Sequence, residues 1–235
     1  MLTMSTSKKP LAIKSGYHHG NLLDELKKSA IDIIATEGIS KINLRDLAIK
    51  CGVSATSVYR HYKNKEHLLA VIAEDGFTKL HQTMLATQEP NKFQKIGIAY
   101  IHFALQHRVH FQLMFGPFLE KKNYPALLNA STEAYQVLRI PIEQGIAQGI
   151  MVGDVDSLTR TAWATVHGTA VLLLDNQFIT NNNDDIDCDQ IATEVTMILG
   201  KGLYTQHYIE NTKKTGDTND KVNHDTIDNY IDQQK

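Results

Sequence analysis

The 235-residue sequence predicts an all-α chain. Apolar residues recur at three- and four-residue spacing along most of its length, and no alternating strand pattern interrupts them. The separators between periodic stretches are turn-rich: GP at 116, NYP at 123, GIMVGD at 149 and NNNDD at 181.

Residues 1–16 mix Ser, Thr, Lys, Pro and Gly without apolar periodicity and read as a flexible arm. In NLLDELKKSAIDIIATEG, the residues Leu22, Leu26, Ala30, Ile33 and Ile34 mark one helical face, with Asn21 as a candidate N-cap and Gly38 as the stop. Asn43 is placed to cap a second helix with Leu44, Leu47 and Ala48 as its apolar face. Gly52 then supplies a turn that needs φ > 0. Ser54 caps a third, very short helix, with Val53 and Val58 expected to pack inward. Asn64 is a candidate cap for a fourth, long helix whose buried stripe is Leu68, Leu69, Ile72, Leu80 and Met84. Further helices are expected over 91–107, 109–115, 124–148, 156–178 and 188–209. The last 25 residues, 211–235, hold too few apolar side chains to build a core and are expected to be disordered.

Composition narrows the class. A hydrophobic content of 42% fits a globular protein, and no apolar run approaches the roughly 18 residues of a membrane helix. The start MLTMSTSKKPLAIKSG lacks an apolar h-region with a cleavage site, so the cytoplasm is the expected compartment and no membrane partner is expected. Two distant cysteines, Cys51 and Cys188, indicate neither a disulfide framework nor a zinc site. The formal net charge of -2 hides an asymmetry: residues 1–70 carry 11 Lys+Arg against 6 Asp+Glu, leaving 13 against 20 for the remainder. The front of the chain is suited to a polyanion and the rest is not.

The stretch LRDLAIKCGVSATSVYRHYK, residues 44–63, joins two short helical patterns through a glycine turn, the spacing and chemistry of a helix-turn-helix. Ala55, Thr56 and Ser57 open its second helix, where short side chains let the backbone approach base edges in a major groove. Tyr59, Arg60, His61 and Tyr62 are crowded together and read as a phosphate-facing group. Lys65, in the first turn of the following helix, and Arg45, at the start of the preceding one, are placed to hold phosphates together with backbone N–H groups.

Those residues resemble the N-terminal signature of the TetR-type transcriptional regulators. The resemblance runs through AIDIIATEGISKINLRDLAIKCGVSATSVYRHYKNKEHLLAVI and covers residues 17 to about 75. YHHGNL, EQGIAQGIMVGDVDS and the Trp163, His167, Gly168 signature are similar to a subgroup of that family with a Trp…His-Gly C-terminal domain. Val109 stands where the corresponding family segment usually carries a proline. The resemblance implies a three-helix helix-turn-helix domain, here 17–63, followed by a larger helical ligand-binding and dimerisation domain, here 64–210. It further implies a homodimer on a palindromic double-stranded DNA operator, repressing transcription until a small-molecule effector binds.

An effector pocket in the C-terminal half would be apolar with a few polar groups. Phe103, His107, Phe111, Met114, Trp163 and His167 are its candidate lining; ordinary core is the other reading of the aromatics and Met114, and a buried structural hydrogen bond is the other reading of His167. Trp163 and His167, four apart, share a helix face. His107 and His110 stand three apart with His102 nearby, but no carboxylate completes a metal motif, so neither metal nor cofactor is expected. The last two helices carry broad apolar faces interspersed with Ala, Thr and Gly, which suit packing between subunits. A DNA-binding regulator with no small ligand is the alternative. An enzyme is the more distant one, since no nucleophile elbow, phosphate loop, metal triad or carboxylate pair is present to make catalytic residues.

Overall fold

The structure, a computed structural model, describes residues 22–87, 92–178 and 187–203. The expected N-terminal arm, the Asn21 cap, the NNNDD separator and the C-terminal tail lie outside the described residues. No strand occurs among those described.

The chain forms two compact units that divide between Leu68 and Leu69, five residues after the boundary expected from sequence. In the first, α1 (Leu22–Glu37) buries Leu22, Leu26, Ala30, Ile33 and Ile34, the same five residues that the helical spacing marks. It stops at Gly38, whose φ of 91° costs a glycine nothing, and a single 3₁₀ turn over Ile39–Lys41 follows. That turn has no clear sequence signal.

Helix α2 (Leu44–Lys50) packs on α1 and on α3 (Ala55–His61). Both short helices are fixed by their caps. Asn43 Oδ1 accepts from the Arg45 N–H at 2.8 Å, and Ser54 Oγ accepts from the Ser57 N–H at 3.1 Å. Between them Gly52 has φ 67°, the left-handed turn expected of it. Seven residues are too few for a stable isolated helix, so burial of Leu44, Leu47, Ala48 and Val58 supplies what propensity does not. Val53, expected to pack inward, is only half-buried.

Helix α4 (Lys65–Leu85) begins in the first unit and continues into the second; Asn64 Oδ1 accepts from the His67 N–H at 2.8 Å. The second unit also contains α5 (Lys92–Gln106), α6 (Arg108–Phe115), α7 (Pro125–Ala147), α8 (Val155–Leu174) and α9 (Cys188–Leu203). Helix α5 is its centre, packing on α6, α7, α8 and α9. The approach is tight at Gly97, where a Cβ would lie 2.8 Å from Thr196 Cγ2 and 3.2 Å from Val166 Cγ1.

Of two boundaries, the first falls within a residue of expectation and the second does not. The break between α5 and α6 falls at His107, with φ -122° and ψ 47°, and needs no proline at Val109. Helix α8 ends at Leu174 and not at 178, because Asn176 adopts φ 51°, a left-handed conformation that asparagine tolerates, and turns the chain out of the helix. Pro141 lies inside α7, which runs on past it.

Candidate functional site

The outward face of α3 is built by what its inward face buries. Val58 is wholly buried, and on a helix this short that leaves Thr56, Tyr59, Arg60 and His61 in solvent. Ala55 and Ser57 are half-buried at the helix start, and Arg45 is exposed at the start of α2. Tyr59 is 46% exposed, an amphipathic ring held on the surface.

Tyr62 does not belong with them. It is 2% exposed, its ring meets His67 edge-on at 6.1 Å, and burial pushes its phenol up to about 12. The physical reason is its position: it is the C-cap of α3, in extended conformation, and the chain there turns back toward the core. Of the four crowded residues, three form a surface and the fourth anchors it.

Lys65 is half-buried and its Nζ donates to the Ser40 carbonyl at 3.3 Å, which ties the start of α4 to the 3₁₀ turn after α1. One first-turn amide there, that of His67, is already committed to Asn64. Ser40 was not foreseen as part of this face, and a serine in a turn carries no signal that would reveal it.

The second unit holds a cleft of about 380 Å³ between α6, the segment after it, and the C-terminal part of α8. Phe111, Phe115, Phe118, Val171 and Leu174 form its apolar walls. Arg108, Gln112, Asp175 and His167 supply the polar atoms. Arg108 and Asp175 face each other at 3.8 Å, both more than half exposed.

Of the six residues expected to line a pocket, Phe111 and His167 do. Phe103 and Met114 are each 1% exposed, in the core. Trp163 stands behind the cleft in an aromatic cluster, with ring centroids 5.5 Å from Tyr100, 6.0 Å from Phe115 and 5.3 Å from Tyr135. His107 packs against Phe103 at 4.8 Å and is held below the usual imidazole range by burial, then by His110 and Lys79. His110, 6% exposed, meets Asp75 at 3.1 Å, and Asp75 also pairs with Lys79. Among the described residues, no three His, Cys, Asp or Glu side chains gather as metal ligands would.

Sequence reasoning missed Tyr100 and Lys121. Tyr100 Oη lies 2.9 Å from His167 Nδ1, a contact across 67 residues of chain that no local pattern announces. Lys121 Nζ sits 4.4 Å over the Phe77 ring and 5.2 Å over Phe115. Burial holds Lys121 below the usual ammonium range, while burial and the Lys121 charge together hold His167 below its own. Phe115 was legible in principle, since it continues the Phe111 face one turn on.

A capped helix-turn-helix with an exposed polar face, on a chain whose second unit is helical, defines a DNA-binding transcriptional regulator. Residues 27–72 match the family model of bacterial regulatory proteins, tetR family, and residues 93–196 match that of the tetracyclin repressor-like C-terminal domain. The two matches together span more than half the chain, which belongs to the TetR family. It is similar in structure to a protein with unknown function from Rhodococcus sp. RHA1, 26% identical with a TM-score of 0.71 over 82% of this chain and 100% of that one. A TetR family transcriptional regulator from Thermus thermophilus, PfmR, shares the fold at 18% identity, with a TM-score of 0.57 over 77% and 99% of the two chains. So does a bacterial regulatory protein in the tetR family from Rhodococcus RHA1, at 18% identity and a TM-score of 0.60 over 76% and 95%. No curated protein matches the sequence. Among the described residues no helix is long and apolar enough to cross a membrane.

Proposed function

We propose that the protein is a homodimeric repressor that holds a palindromic operator through α3 and leaves it when a small molecule occupies the α6–α8 cleft. The observation that carries the DNA half is the sorting of α3: Thr56, Tyr59, Arg60 and His61 face solvent while Val58 and Tyr62 fix the helix. Ala55, Thr56 and Ser57 are the base-reading start of the helix. Arg45, Tyr59, Arg60, His61 and Lys65 are the phosphate contacts.

A seven-residue helix is about 10 Å long and reads only a few base pairs, so useful affinity calls for two copies on a two-fold site. Leu172 on α8 and Ile198 on α9 are large apolar residues left 42% and 58% exposed, and they support these two helices as the subunit contact. Effector action requires that the ligand bind the DNA-incompetent form better than the competent one. Helix α4 is the element placed to transmit that preference, since it belongs to both units. The protein works by binding and not by turnover, in the cytoplasm where the chromosome is.

The test is binding of the purified protein to the DNA upstream of its own gene across a salt series. Nanomolar, salt-steep binding that protects a palindrome is the expected result. Salt-insensitive binding, or none to that DNA and to a randomised duplex pool, would remove the reading.

A further inference from the structure

The α6–α8 cleft has a chemistry specific enough to choose among ligands. Its walls are flat rings and branched aliphatics, Phe111 and Phe115 facing Val171 and Leu174. Phe111 stacks on the His167 imidazole, with centroids 5.2 Å apart and an interplanar angle of 27°, so the histidine lies flat in an aromatic floor.

The tautomer of that histidine follows from counting partners. Tyr100 is 2% exposed, and among the described residues its hydroxyl meets only His167 Nδ1, at 2.9 Å. A buried O–H proton left without an acceptor is costly, so Tyr100 donates and Nδ1 accepts. The imidazole hydrogen then resides on Nε2, the ring nitrogen that Tyr100 does not engage, on a side chain that lines the cleft. The ring stays neutral, because burial and the nearby ammonium of Lys121 both oppose its protonation.

Lys121 adds sign. Its ammonium is half-buried against the Phe77 and Phe115 rings, and among the described residues no carboxylate pairs with it. The Phe115 ring it covers is 4.7 Å from the His167 ring. A neutral N–H donor within the field of an uncompensated cation favours an anionic oxygen and disfavours a cation. The Arg108–Asp175 pair at 3.8 Å is exposed and close to neutral, so it selects little.

We propose that this cleft takes a small carboxylate with an aromatic or branched apolar body, its carboxylate accepting from His167 Nε2–H within reach of the Lys121 charge. The body lies between Phe111, Phe115 and Leu174. The proposal rests on the reading of the cleft as the effector site and specifies what that effector is.

The test uses the full chain and three ligands that share one body: 4-phenylbutyrate, 4-phenylbutyramide and 4-phenylbutylamine. Titration calorimetry gives affinities, and the fluorescence of Trp163, the single tryptophan, reports occupancy through its contact with Phe115. The carboxylate is expected to bind at least tenfold tighter than the amide, and the amine not at all. Lys121→Met is expected to collapse the carboxylate-to-amide ratio toward one, and His167→Phe to weaken the carboxylate tenfold or more with an unchanged circular dichroism spectrum. Amide or amine binding equal to the carboxylate, an unaltered ratio in Lys121→Met, or no heat and no fluorescence change with the carboxylate would overturn it. Operator release is scored separately. Carboxylate binding without release leaves this site standing and removes effector-driven derepression, whereas release by a ligand lacking a carboxylate does the reverse.

Discussion

At the scale of single residues, two tyrosines three apart in one motif have opposite jobs. Tyr59 is a surface ring and Tyr62 a buried one. Tyr59→Ala is expected to weaken DNA binding while leaving the unfolding free energy from urea titration within about 0.5 kcal/mol, the usual range for surface substitutions. Tyr62→Ala is expected to cost roughly 3–5 kcal/mol of stability, as aromatic truncations in cores do, and to lose DNA binding only through unfolding. Denaturation curves beside DNA titrations separate the two. A stable Tyr62→Ala that fails to bind DNA would return that residue to the interface.

The histidines of the second unit set a pH dependence. His107 and His167 are both held below the ordinary imidazole value, by burial first in each. Lys121 adds to this at His167, whereas at His107 the charges of His110 and Lys79 outweigh Asp75. The unfolded chain therefore takes up protons near pH 6.5 that the folded chain refuses. Stability is full above about pH 6.5 and falls as pH drops through the lowered folded values. His167→Gln is expected to flatten that fall in urea titrations at stepped pH; an unchanged slope would place the proton uptake elsewhere.

At the scale of elements, the short helices depend on their caps and the central helix on a glycine. Ser54→Ala removes the acceptor for the Ser57 N–H and is expected to cost about 1 kcal/mol, read as a lower denaturation midpoint and weaker DNA binding. Gly97 lets α5 approach α8 and α9, and the atoms a methyl group would meet belong to Thr196 and Val166. Both are β-branched and stiff at χ1, and the Thr196 hydroxyl is bonded to the Ala192 carbonyl at 2.7 Å, so neither yields easily. Overpacking of about 1–3 kcal/mol then exceeds the roughly 0.5–1 kcal/mol that alanine gains over glycine in a helix. Gly97→Ala is expected to be destabilising in thermal unfolding, against the propensity scale.

At the scale of the whole molecule, the distribution of charge and the exposed residues of the last two helices bear on assembly and DNA binding. Replacing Ile198, 58% exposed on α9, by Lys is expected to shift the protein toward monomer in light scattering and to weaken operator binding, since on the proposed two-fold operator one copy would hold only a half-site. A monomer that binds as tightly as wild type would sever dimerisation from function. Lys65→Ala is expected to lower the slope of log affinity against log salt by about 1, the contribution of the one phosphate contact proposed for it.

What the sequence determined by itself was everything set by local rules. The helical period fixed which residues of α1 and α4 turn inward, side-chain caps at Asn43, Ser54 and Asn64 fixed where helices begin, and Gly52 fixed the turn of the DNA-binding motif. These are interactions over a few residues, so spacing alone encodes them. The 3₁₀ turn at Ile39–Lys41, the burial of Tyr62, and the composition of the cleft were decided only in three dimensions. Tyr100 and His167 are 67 residues apart, and Lys121 reaches the Phe115 ring from a separate turn of chain. Which polar atom faces which ring there depends on how α5, α6 and α8 pack, and packing is a sum of many weak, nonlocal contacts that no single stretch of sequence contains.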